Sequence, residues 1–135
     1  MTRYPGSRGQ IQTTARVFPP RSDRTEIVRA FVADALGDTH PCRPDATLLA
    51  GELAEASRTG VAIVISYARR WVYVNVRPIG RTHTPSPGLG SAHAAGVVAG
   101  LEARSVRWGL VRESKSSAVW FELDARRTPA RPHAS

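Results

Sequence analysis

The sequence predicts an α+β two-layer sandwich: a mixed, mostly antiparallel sheet with helices on one face. Three observations predict it. Ile27, Phe31 and Ala35 are spaced four apart, with Val28, Val32 and Leu36 beside them, which makes one apolar stripe at helical period. Val72, Val74 and Val76 alternate with Tyr73 and Asn75, the period-two mark of a half-buried strand. The elements run strand, helix, helix, strand, strand, long loop, helix, strand, strand, and the short connections favour antiparallel neighbours.

Residues 1–11 are rich in Gly, Ser and Arg and read as a flexible arm. Thr13 to Phe18 is short and partly alternating, as an edge strand would be. Ser22 or Asp23 can cap the first helix, and Gly37 ends it. After the loop "DTHPCRP", Asp45 can cap a second helix, "ATLLAGELAEASRT", closed by Gly60. "VAIVISYA" and "WVYVNV" follow as strands, with Arg69 and Arg70 between them as a tight hairpin turn. An acidic docking site is the alternative reading of that arginine pair.

From Arg77 to Ser91 the chain has three prolines, three glycines and no apolar period, which predicts a long loop. "AHAAGVVAGLEARS" resumes helical spacing, although Gly96 and Gly100 each weaken it by up to about 1 kcal/mol. "VRWGLVRE" and "SAVWFELD" read as a closing hairpin. The expected organisation is one domain over residues 12–124 with a basic tail, 125–135.

Bulk properties narrow the function classes. The chain has 135 residues and 41% apolar content, enough for one core and well above a disordered chain. No apolar run approaches the roughly 18 residues that a membrane span needs, and the first residues lack the apolar core of a secretory signal. The expectation is a cytoplasmic protein that does not enter the membrane. Cys42 is the only cysteine, so no disulfide can form within the chain, and a plain loop thiol is expected. Net charge is +8, almost all from arginine. Such a surface attracts acidic partners, but part of the excess lies in the arm and tail, and no nucleic-acid recognition motif accompanies it.

The two opening elements, "FPPRSDRTEIVRAFVADAL", the helix "DATLLAGELAEA", the strand "WVYVNVRPIG" and the closing "RWGLVRESKSSAVWFEL" together resemble the ATPase domain shared by gyrase, histidine kinases and anti-sigma-factor serine kinases. The small single-domain anti-sigma kinases look most similar, and the resemblance spans residues 13 to 123. It implies the histidine kinase-like ATPase fold. It also implies an ATP site built from a helix glutamate, an asparagine four residues later that holds magnesium, an aspartate in an Asp-x-Gly turn that reads adenine, and a glycine-rich lid.

Glu52 matches the glutamate, a catalytic base only if the site is active. Ala56 falls on the asparagine and offers no lone pair to Mg²⁺, which demands oxygen ligands. Pro78 falls on the aspartate, two before Gly80, and has no side-chain acceptor. Gly88, Gly90 and Gly96 keep only an outline of the lid, whose backbone amides could cradle an anion. The cofactor expectation is therefore none, with ATP and Mg²⁺ the alternative if the site still works.

The resemblance implies protein partners, a sigma factor or an antagonist protein, and relatives often pair as homodimers. A regulatory binding protein comes first, an active serine/threonine-protein kinase second and a nucleic-acid module last. His83 and His93 read as ordinary loop histidines, with no metal expected. Trp71, Trp108 and Trp120 read as packing residues.

Overall fold

The computed structural model describes residues 10–79, 92–113 and 116–126. Gly80, Gly88, Gly90, His83 and most of the expected arm and tail lie outside the described residues. The elements are β1 (Gln12–Phe18), α1 (Arg24–Leu36), α2 (Arg43–Ala56), β2 (Gly60–Ala68), β3 (Trp71–Ile79), α3 (Ala92–Arg104), β4 (Arg107–Glu113) and β5 (Ser116–Asp124). No described helix is long and apolar enough to cross a membrane.

The five strands form one sheet in the order β1-β2-β3-β5-β4, with β1 and β4 at its edges. All four pairings are antiparallel, which corrects the expectation of a mixed sheet. The reason lies in the crossover from β3 to β5. It uses α3 and β4 on the way, so β5 arrives reversed against β3.

Register decides which side chains share a face. Phe18 lies opposite Val61, Ile63 opposite Val76 and Ile65 opposite Val74. Val74 in turn faces Phe121, and Val76 faces Val119. These residues form one buried cluster with Val28, Val32, Leu49, Leu53 and Leu101 of the helices. The alternation read in β3 therefore points its valines at the helical layer. Phe31 packs edge-on against Phe18 with ring centroids 5.3 Å apart, which seats α1 on the start of the sheet.

The opposite face has its own polar and aromatic packing. Trp120 stacks on Tyr73 at 5.9 Å. A side chain at Gly109 would lie 2.9 Å from the Trp120 indole nitrogen, so glycine there is required by close approach. Trp71 Nε1 donates to the buried Glu122 Oε2 at 2.5 Å, and Arg107 holds Oε1 at 2.7 Å. The three tryptophans are thus placed as packing residues, with Trp108 against the core.

Several boundaries differ from expectation. Asp23 is the N-cap of α1 but makes no side-chain capping bond; it pairs with Arg21 at 3.1 Å instead. Gly37 ends α1 at φ 87, the left-handed region that glycine enters freely. Cys42, not Asp45, is the N-cap of α2, because Pro44 is accommodated in the first turn. Asp45 sits in that first turn and pairs with Arg104 at 3.5 Å. Gly60 opens β2 rather than closing α2, and an added Cβ there would lie 2.9 Å from the Phe18 carbonyl oxygen.

The burial pattern generates a stability prediction. Phe121→Ala removes a fully buried ring and costs about 3–5 kcal/mol. Val17→Ala, at a position 57% exposed on the edge strand, stays within about 0.5 kcal/mol. Urea unfolding of the two variants measures the contrast.

Candidate functional site

Two ends of the sandwich carry chemistry. The first gathers the C-terminal turn of α2, the start of β2 and the end of β3. Helix α2 ends at Ala56, β2 begins at Gly60, and Gly60 pairs with Ile79 while Val61 pairs with Pro78. Ala56 and Pro78 are therefore brought to the same end of the fold, both partly exposed. The expected turn at Pro78 is corrected: β3 continues through Ile79, so Arg77, Pro78 and Ile79 are strand, not loop. A proline is tolerated because the β3–β5 ladder stops at Val76, leaving Pro78 with a strand neighbour on one side only.

Glu52 lies on the α3 side of α2. A Cβ added at Gly100 would sit 3.3 Å from Glu52 Oε1 and 3.8 Å from an Arg104 guanidinium nitrogen. Gly100 thus gives the carboxylate room against α3, a reason for glycine that helix propensity alone does not reveal. Glu52 remains partly exposed. Gly96, one turn earlier, is exposed with open space above it. The two glycines lie on the same helix, but only Gly100 lies against Glu52.

The strongest polar feature at this end was not read from the sequence. Arg24, in the first turn of α1, is 8% exposed. Its Nη2 donates to the carbonyl oxygens of Ala54 and Ser57, each at 2.7 Å, and its Nη1 donates to that of Thr59. Helix α2 has no basic residue in its own last turn. Arg24 therefore supplies the cation that the carbonyl-rich helix end favours, and its fork satisfies several acceptors at once. Burial lowers its pKa from the ordinary arginine value. Local pattern gives no hint of the arrangement, because donor and acceptors are about thirty residues apart in sequence.

At the opposite end, the α1–α2 turn meets the β2–β3 hairpin. His40 Nδ1 accepts from the Cys42 N–H at 3.1 Å, so its proton sits on Nε2, which donates to the Ala68 carbonyl at 2.6 Å. The Cys42 thiol donates to the Arg70 carbonyl at 3.6 Å, and the Ala125 N–H donates to the same oxygen at 2.8 Å. The expectation of a plain loop thiol is corrected: Cys42 is buried at a helix start and bonded to a hairpin. Burial, with smaller contributions from the nearby Asp124 and Asp45 carboxylates, pushes its pKa from 9.0 up to about 11. Such a thiol is a poor nucleophile at neutral pH. A pocket of 630 Å³ opens beside it, lined by Leu36, His40, Arg69, Arg70 and Ala125 among others.

Two predictions follow from these contacts. Arg24→Met leaves carbonyl oxygens at the end of α2 short of donors and lowers stability by roughly 3 kcal/mol. Arg24→Lys recovers less than half of that, since one ammonium cannot span the same acceptors; urea midpoints measure both. The raised Cys42 pKa stabilises the fold below the ordinary thiol value, and that contribution is lost as pH rises from 9.0 through about 11. Stability measured across that window falls more steeply in the parent chain than in Cys42→Ser. Comparison with models of known protein families and with curated proteins yields no match to the chain.

Proposed function

We propose that this chain is a regulatory binding protein on a histidine kinase-like ATPase scaffold, similar to the anti-sigma-factor serine kinases, whose nucleotide chemistry has lapsed. Its work is then protein–protein binding, with a sigma factor or an antagonist protein as the partner class. The supporting observation is that Ala56, at the end of α2, and Pro78, near the end of β3, lie at the same end of the sandwich. The family would bring a magnesium ligand and an adenine acceptor to that end. Neither side chain carries an oxygen or nitrogen that could serve.

Phosphoryl transfer depends on orientation and on neutralising the charge of the phosphates. With both contacts gone, Glu52 alone supplies neither. The order of elements and the sheet backed by helices are compatible with a two-layer α+β fold, the coarser architecture that the scaffold requires. Fold and site separate readily, so a binding surface can persist after the chemistry is lost.

The partly exposed Glu52 carboxylate favours a second reading, an active ATP-dependent serine/threonine kinase with Glu52 as the base. Isothermal titration calorimetry with ATP and Mg²⁺ separates the two. The binding-protein reading expects no magnesium-dependent heat with up to millimolar nucleotide. Binding, together with phosphate transfer from labelled ATP that Glu52→Gln abolishes, supports the kinase.

A further inference from the structure

The Arg69–Arg70 hairpin carries a feature that its local structure does not explain. Ala68 pairs with Trp71, so the connection has only these two residues. Two-residue hairpin turns favour Asn, Gly and Asp, whose backbones adopt the required angles. Two adjacent arginines satisfy no such need and repel one another.

The backbone of this turn is nevertheless firmly held. The carbonyls flanking Arg69 are tied to neighbouring segments: Ala68 to His40, and Arg70 to Cys42 and Ala125. The side chains show the opposite condition. Arg69 and Arg70 are exposed, and among the described residues neither guanidinium has a hydrogen-bond or ion-pair partner. Asp124, opposite Trp71 at the end of the hairpin, is already engaged by Arg126 at 3.5 Å. The result is two unpaired cations on a fixed backbone, beside a 630 Å³ pocket with Leu36, Pro41 and Ala125 in its lining.

We propose that this pocket binds an acidic segment of a protein partner, with carboxylates on Arg69 and Arg70 and an apolar side chain against Leu36, Pro41 and Ala125. This identifies the partner chemistry for the binding role proposed above and rests on it. Arginine forks match carboxylates bidentately, and a fixed backbone lowers the ordering cost of binding. The volume falls within the usual range of ligand sites, about 300–1,000 Å³, but the pocket is partly open rather than enclosed. That suits side chains presented by a partner surface better than a small molecule needing enclosure. Among the described residues no Phe, Tyr or Trp lines the pocket, so they offer no stacking platform of the kind single-stranded nucleic acid uses.

The probe is a fluorescein-labelled dodecapeptide of alternating Glu and Leu, titrated into the full chain at low salt and followed by anisotropy. The same peptide with Gln replacing Glu is the neutral control. Binding of the Glu peptide is expected, weakened at least tenfold by Arg69→Glu with Arg70→Glu. The same charge change at Arg58→Glu with Arg112→Glu is expected to weaken it less than twofold. Amide shifts on binding are expected around residues 36–42, 68–70 and 125. The urea midpoint of the Arg69/Arg70 variant should match the parent, because neither guanidinium supports the fold. Equal loss from both charge-reversed pairs, equal binding of the Gln peptide, or no binding of the Glu peptide would each overturn the proposal. The calorimetric ATP titration is independent: nucleotide binding there removes the lapsed-site reading while leaving the peptide result to stand or fall alone.

Discussion

One buried guanidinium organises the end of the molecule where α2 stops and β2 begins. Arg24 enters from the first turn of α1 and reaches the carbonyls that close α2 and precede β2. Three successive elements are joined through one side chain. The placement of everything downstream depends on this joint. It sets where α2 stops, hence where Ala56 lies, and where β2 begins, hence which β3 residue meets its first positions. A cation in a dry position is costly unless its donors are used. Here the fork is largely used on carbonyls, although Nε has no partner among the described residues.

The two ends of the sandwich are built on opposite terms. At the α2 terminus the cation is buried and its acceptors are backbone oxygens of the chain itself. At the β2–β3 turn the backbone oxygens are occupied by His40, Cys42 and Ala125, and the cations face water. The first arrangement closes a structural joint. The second leaves charge available at a pinned surface. A binding protein needs such a surface, whereas a phosphotransferase needs the first end furnished with metal and base ligands.

Much of the fold was legible because its signals are local. The stripe through Ile27, Phe31 and Ala35 and the alternation through Val72, Val74 and Val76 each report burial on one face, and burial drives the element. The edge position of β1 followed from its short, partly polar pattern. The signals that failed are those decided by distant neighbours. Pro78 stays in β3 because the β3–β5 ladder stops at Val76 and asks no hydrogen bond of it, a fact of register that no reading of Arg77 to Ser91 contains. Asp45 lost the cap to Cys42 because Pro44 is accommodated in the first turn of α2, after a turn that is also anchored to the hairpin carbonyls. The absence of oxygen at Ala56 and Pro78 was visible in the sequence, but their convergence at one end required the pairing of β2 with β3. The role of Arg24 has no local signal, because its acceptors are about thirty residues away along the chain.

Arg24 makes the terminus of α2 a structural joint, and the proposed lapse of nucleotide chemistry there requires that joint to be indifferent to nucleotide. Arginine side-chain NMR tests it directly, by following the Nη protons of Arg24 with and without millimolar Mg·ATP. The account predicts slowly exchanging protons, restricted rotation of the guanidinium and no change on adding nucleotide. Rapid exchange, or a nucleotide-induced shift of the Arg24 signals together with those of Glu52 and Ala56, would contradict it.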